Sequence, residues 1–154
     1  MPFRLILWLI VGRSDLVGLP DDHPEMLAAK KKARESLPGF FRIMEGHSEE
    51  LTEFSVKVAF PTDLGDEHIW VSDLSLEARG LKGLLANDPN NIPGIKLGDE
   101  VVVEENRISD WSYCEGGVFQ GHFTTKVLLP HMKEEMREQV MLACGWENEK
   151  ESGR

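Results

Sequence analysis

His68, Asp110 and His122 are the side chains of this sequence best suited to move a proton. Histidine titrates nearest neutral pH, and a carboxylate within reach can orient or charge its ring. His68 or His122 working with Asp110 is therefore the catalytic reading, that of a small hydrolase-like enzyme. A second constellation is aromatic: Trp70, Trp111 and Tyr113, with Asn87 and Asp110 as polar handles. Such residues can wall a pocket for a small molecule or a peptide side chain. Each set has a plainer alternative. Large aromatics in strands are mostly core, with the indole N–H bonded to a carbonyl or carboxylate. Asp110 in turn can bond nearby backbone. Glu67 beside His68 does not make a dyad, because adjacent strand residues point to opposite faces.

The remaining groups narrow the chemistry. His23, His47 and His131 fall in loop or cap positions, and no spacing among the five histidines suits a metal. No glycine-rich loop fits a phosphate cradle, so neither cofactor nor metal is expected. Cys114 and Cys144 form no C-x-x-C pair and read as reduced thiols, which points to the cytoplasm; Cys114, in a turn, is the candidate reactive thiol. His122, Thr124 and Lys126, with Lys57, could form a cationic patch, or simply a solvated sheet face. Lys30-Lys31-Lys32 with Arg34 could meet phosphates, or cover the outer side of a helix. With 17 basic against 27 acidic residues, the net charge of −10 opposes nucleic acid and anionic lipid.

The elements that must position these groups follow from the hydrophobic pattern. The chain of 154 residues reads as one domain with enough surface to bury a core unaided. Phe3–Val11 is apolar apart from Arg4, too short to span a bilayer, which needs about 20 residues, and lacks a small-x-small cleavage site after it. It reads as a buried strand whose flat face could also join two copies in a homodimer. Asp22 caps a helix that runs to about Ser36, with Met26, Ala29, Ala33 and Leu37 on one side, and Pro38 ends it. Gly39–Met44 is then a short second helix or an apolar turn. Glu53–Phe60 alternates as a half-buried strand, with Phe54, Val56, Val58 and Phe60 inward. Glu67–Leu76 and Gly80–Asn87 are strands. Gly98–Tyr113 reads as a hairpin with its tip near Glu105-Asn106. Val118–Leu129 reads as one long strand, and Pro130 opens a final helix to about Cys144, stopped by Gly145.

Several stretches occur together in a recognisable order: Ala33-Arg34 with Leu37-Pro38 and Phe40; Glu67-His68-Ile69-Trp70-Val71; Gly83-Leu84-Leu85-Ala86-Asn87-Asp88-Pro89; Gly98-Asp99-Glu100-Val101; Ile108-Ser109-Asp110-Trp111-Ser112-Tyr113; and Gly121-His122-Phe123-Thr124. As an ordered set they resemble the YegJ-like bacterial family of domains of unknown function, over about Pro24 to Leu129. Phe123 stands where that family usually has Tyr, and Lys126 where it usually has Arg. The resemblance carries over no catalytic residue.

The expected fold is α+β. A mostly antiparallel, five- to six-stranded, partly closed (SH3-like) sheet carries an N-terminal helix and a C-terminal helix. The N-terminal strand 3–11 and the helix 130–144 lie outside the family-like core. The expected function is a non-enzymatic ligand-binding or protein-interaction module near Trp70, Asn87, Asp110, Trp111 and Tyr113. Its partner would be a small molecule or a protein, with no membrane attachment. The hydrolase is the alternative, and a nucleic-acid-binding small barrel, disfavoured by charge, is the third reading.

Overall fold

A computed structural model describes residues 19–146. The expected strand Phe3–Val11, and the dimer surface assigned to it, lie outside the described residues. Helix α1 (Pro24–Glu45) opens the described fold and continues straight through Pro38. Its N-cap is His23, not Asp22: the ring Nδ1 accepts the Glu25 N–H at 3.2 Å. Pro38 removes one helical hydrogen bond, a cost of roughly 3 kcal/mol inside a helix. Burial offsets that cost. Met26, Ala29, Ala33, Leu37, Phe40 and Met44 form one buried stripe, and each large member contributes about 1.5–3 kcal/mol. The separate Gly39–Met44 element is therefore the last two turns of α1.

Six strands follow: β1 (Leu51–Thr62), β2 (Gly65–Glu77), β3 (Gly80–Leu85), β4 (Glu100–Val103), β5 (Ile108–Glu115) and β6 (Val118–Gly121). They form one sheet in the order β4-β3-β2-β1-β5-β6, with every adjacent pair antiparallel. The sheet is not fully closed, since β4 and β6 are its two edges. The expected hairpin between β4 and β5 does not form. β4 pairs with β3, while β5 crosses to the far side of β1. A 3-10 turn at Glu105–Arg107 starts that crossing. Arg34 of α1 pins it by donating to the carbonyls of Ile108 at 2.9 Å and Glu105 at 3.3 Å.

Val118–Leu129 is not one strand. β6 stops at Gly121, and helix α2 (Phe123–Leu128) begins after His122, which is left-handed at φ 53°. Gly121 must be glycine: a Cβ there would sit 2.2 Å from the Trp111 carbonyl oxygen. Helix α3 spans Glu134–Cys144 and ends at Gly145 (φ 75°). A 3-10 turn at Leu129–His131 precedes it, so Pro130 belongs to that turn and not to the helix.

Two layers cover the sheet. On the first face, Leu37 and Phe40 of α1 pack with Phe54, Val56, Ile69, Val71 and Trp111. On the second, Val140 and Cys144 of α3 and Leu128 of α2 pack with Trp70, Cys114 and Phe119. β1 is consequently covered on both sides, with Ser55, Lys57 and Ala59 as buried as their apolar neighbours. It is a central strand, not a half-exposed one. Among the described residues no helix is long and apolar enough to cross a membrane.

Candidate functional site

The polar residues picked out by sequence meet on the second face, in a closed network. Asp110 is fully buried. Its Oδ1 accepts the N–H groups of Trp111 (2.9 Å) and Phe123 (3.1 Å). Its Oδ2 accepts the Thr124 N–H (2.9 Å) and hydroxyl (2.6 Å). Asp110 thus caps α2 from another strand, satisfying donors that a six-residue helix cannot satisfy itself. Lys57 Nζ donates to Thr124 Oγ1 at 3.3 Å, so the threonine hydroxyl bridges ammonium and carboxylate. Burial raises the Asp110 pKa against the pull of Thr124 and Lys57. Burial likewise lowers the Lys57 pKa against the pull of Asp110 and Asp21.

His122, the residue before α2, is fully buried. Its ring stacks near Trp70 (4.8 Å), Phe119 and Trp146, and Nδ1 bonds Thr125 Oγ1 at 2.9 Å. Burial, with Lys57 and Lys126 nearby, lowers its pKa to about 3, so the ring is neutral at physiological pH. Of the expected cationic patch, Lys57, His122 and Thr124 are therefore buried at α2, while Lys126 is exposed. Lys126 itself lies over the Trp146 ring at 5.0 Å.

No described hydrogen bond joins Asp110 to either catalytic candidate histidine. His68 instead links Asp21 and Ser109: Nε2 to Asp21 Oδ2 is 2.8 Å, and Nδ1 to Ser109 Oγ is 3.3 Å. The His68 hydrogen bond, and its charge, lower the Asp21 pKa although partial burial opposes this. Ser109 was invisible as a site residue. β1 and β5 slip register between Lys57↔Asp110 and Val58↔Ile108, which leaves Ser109 as a bulge. The bulge also places Ile108 in the same cluster as Trp111, where strict alternation would put it opposite.

The aromatic wall does not assemble. Trp111 and Tyr113 stack at 5.9 Å on the α1 face, with Trp111 Nε1 donating to Ser36 Oγ at 2.8 Å. Trp70 lies on the other face and is 0 % exposed, against 8 % for Trp111. Asn87 accepts the Trp70 N–H at 3.3 Å and extends the β2–β3 ladder past Leu85. Glu67, on the face opposite His68, accepts the N–H groups of Asn90 (2.6 Å) and Asn91 (2.9 Å) and pins the long loop. Cys114 is in β5, not a turn, and both cysteines are buried and outside any disulfide. Burial pushes the Cys144 thiol up to about 12. Among the described residues no cluster of His, Cys, Asp or Glu is arranged to hold a metal ion.

An open cleft lies elsewhere. β1 and β2 pair from their shared turn up to Val56↔Val71 and then part. Beyond that point, among the described residues, β1 pairs with β5 and β2 with β3. Each strand carries a bulge there, between Thr52 and Ser55 and between Ser72 and Ser75. Each bulge holds an acidic residue in left-handed backbone, Glu53 at φ 59° and Asp73 at φ 49°. Gly83 makes the second bulge feasible, since a Cβ there would lie 2.5 Å from the Ser72 carbonyl oxygen. Between the parted strands lies a cleft of about 490 Å³, with Phe54 and Met44 at its base, Ser55 and Ser72 along it, and Thr52 and Asp73 exposed at the rim.

Comparison with known proteins agrees with the resemblance in the sequence. The chain is 30% identical to Uncharacterized protein YegJ of Escherichia coli strain K12 over 118 residues, which is 76% of each chain. It is 33% identical over 94 residues to a putative ankyrin repeat protein of Neisseria meningitidis serogroup B, covering 58% of this chain and 37% of that one. No solved structure matches. A family model described as uncharacterized protein conserved in bacteria (DUF2314) matches residues 23–147, a span that runs past Leu129 and takes in α3. The family match spans every described strand and helix from end to end, and the chain belongs to this YegJ-like DUF2314 family.

Proposed function

We propose that the protein is a non-enzymatic binding module, for a small molecule or another protein, and that it works through the cleft where β1 and β2 part. One observation carries this reading: both walls of the cleft are bulged strands held open by a non-glycine residue in left-handed backbone. Each such residue costs on the order of 1–3 kcal/mol, and strain of this kind clusters at ligand sites. The polar second face is better explained as structure, because its carboxylate, ammonium and hydroxyl groups satisfy one another out of solvent. A cytoplasmic location is part of the proposal and suits two buried reduced thiols.

A ligand-screening thermal shift on wild type and Thr52→Trp tests the reading. Thr52 is exposed at the rim, so a tryptophan there obstructs the cleft without entering the core. Ligands that raise the wild-type melting temperature should leave the variant unmoved. Equal shifts in both proteins would place binding elsewhere.

A hydrolase is the second reading, favoured by the line Asp21–His68–Ser109, which has the order of a carboxylate, base and hydroxyl nucleophile. Against it, the Ser109 hydroxyl is buried and lies 3.4 Å from the Lys57 carbonyl oxygen, to which it can donate instead. A fluorophosphonate probe decides: labelling that disappears in Ser109→Ala supports the enzyme, and absence of labelling removes it.

A further inference from the structure

We propose that a groove between α1 and α2 binds an aliphatic monocarboxylate, with its carboxylate held at Lys32 and Lys126 and its chain laid along the alanines of α1. This groove is separate from the cleft between β1 and β2 and shares no lining residue with it.

Helical spacing makes the groove. α1 contributes Glu25, Ala28, Ala29 and Lys32 to it. Phe123, Lys126 and Val127 of α2, with Pro130 beyond, stand opposite. Both sets step by three, four and seven residues, as the side chains along one side of a helix do. Elsewhere on its packed stripe α1 fills the space with Met26, Leu37 and Phe40. Here it presents two alanines, and their short side chains leave about 390 Å³. That volume suits a small ligand, whose sites run from roughly 300 to 1,000 Å³. Phe123, Val127 and Pro130 give the facing wall an apolar character that an alkyl chain can cover.

The two ends differ in charge. The Phe123 ring lies 5.5 Å from that of Trp111, whose indole donates to Ser36. At the other end the His131 ring lies 6.4 Å from that of His23. The groove therefore runs from Lys32, on the Phe123 side, to Glu25, on the Pro130 side. Seven helical residues separate these two, or about 10 Å. A ligand with one anionic head and an apolar chain fits that polarity. Its head meets the lysines, and its uncharged tail points toward Glu25, which is exposed and stays in water.

The lysines are available for this. Nearby basic groups are engaged: Lys30 with Asp21, Lys31 with Glu35, and Arg34 with the Ile108 carbonyl. Among the described residues no carboxylate pairs with Lys32 or Lys126. The Lys126 ammonium lies 5.0 Å over the Trp146 ring, a contact that orders the head group and leaves its charge in place. The −10 of the whole chain is screened beyond about 8 Å at physiological salt, so within the groove the two ammonium groups decide the sign.

Isothermal titration calorimetry on the full-length chain provides the test, with octanoate, octylammonium and acetate as probes. Octanoate should bind and octylammonium, which inverts the charge, should not. Acetate lacks the chain and should bind at least roughly tenfold more weakly than octanoate. Replacing both lysines, Lys32→Gln with Lys126→Gln, should weaken octanoate by roughly fivefold or more. Ala28→Trp fills the groove and should block it. All three positions are exposed, so these changes leave the core intact, and the lysine variant decides the matter if the tryptophan variant folds poorly. Thr52→Trp, in the other cleft, should bind octanoate as wild type does. Failure of octanoate to bind, equal binding of octanoate and octylammonium, or unchanged octanoate binding in the lysine variant would overturn the proposal. So would loss of octanoate binding in Thr52→Trp with retention in Ala28→Trp, which would move the ligand to the β1–β2 cleft.

Discussion

Asp110 of β5 caps a helix thirteen and fourteen residues further on, receiving both the N–H and the hydroxyl of Thr124 on a single carboxylate oxygen, at 2.9 and 2.6 Å. That bond holds α2 over the second face and closes the face to solvent. Asp110→Ala would leave these donors buried without their acceptor and the buried Lys57 ammonium without its nearby opposite charge. We expect a loss of about 3–5 kcal/mol in urea denaturation. Asp110→Asn keeps one oxygen but turns an amide N–H₂ toward the Thr124 donors, and should still cost about 1–3 kcal/mol. A loss well under 1 kcal/mol for the alanine variant would mean that the network does not hold α2.

His122 sets an acid limit on stability. Its ordinary pKa of 6.5 is lowered to about 3 by burial and by Lys57 and Lys126. Below about 6.5 the unfolded chain takes up a proton that the folded one refuses. Stability should therefore be level above that value and fall steadily as pH drops toward 3. His122→Asn has no titrating ring, and asparagine tolerates left-handed backbone. Its stability should be flatter than wild type between pH 7 and 5, even if lower overall. Parallel pH profiles for the two proteins would contradict the burial assigned to His122.

Much of this was legible in the sequence because it is local. The helical spacing of Met26, Ala29, Ala33 and Leu37 gave α1, and the alternation at Phe54, Val56 and Val58 gave β1 and its inward face. The family motifs, read in order, led to the right relatives. What was not legible depends on partners distant in the chain. Pro38 looked like a stop because the burial of Phe40 and Met44 that carries the helix past it is tertiary. Val118–Leu129 alternates well enough for a strand, yet Gly121 and His122 turn it, and the cap that holds α2 comes from Asp110. β4 and β5 read as a hairpin because nothing local shows that β5 belongs beside β1.

The cleft was hidden for a related reason. Glutamate rarely adopts left-handed backbone, and an aspartate that can adopt it is found in strands and turns alike, so Glu53 and Asp73 give no sign of their bulges. Gly83, a glycine within a strand, was the one available signal. Gly83→Ala should force the Ser72 carbonyl aside and cost about 1–3 kcal/mol. Asp73→Gly should instead relieve the backbone and stabilise the fold by about 0.5–1 kcal/mol. If Asp73→Gly destabilises, the strain attributed to that wall is absent.

Phe54 joins the cleft to the core. Its ring lies 5.4 Å from Tyr113, 5.9 Å from Phe40 and 5.1 Å from His47. Phe54→Ala should cost about 3–5 kcal/mol through the void it leaves. A loss much below this would show that the base of the cleft collapses on its own.

The most direct measurement is a ¹H–¹⁵N correlation spectrum of the full chain, titrated with a ligand that raises its melting temperature. Shifts should concentrate at residues 51–55 and 72–74, the two walls of the opening, and leave Asp110, Thr124 and His122 in place. Shifts centred on those three residues instead, with the parted strands silent, would contradict it.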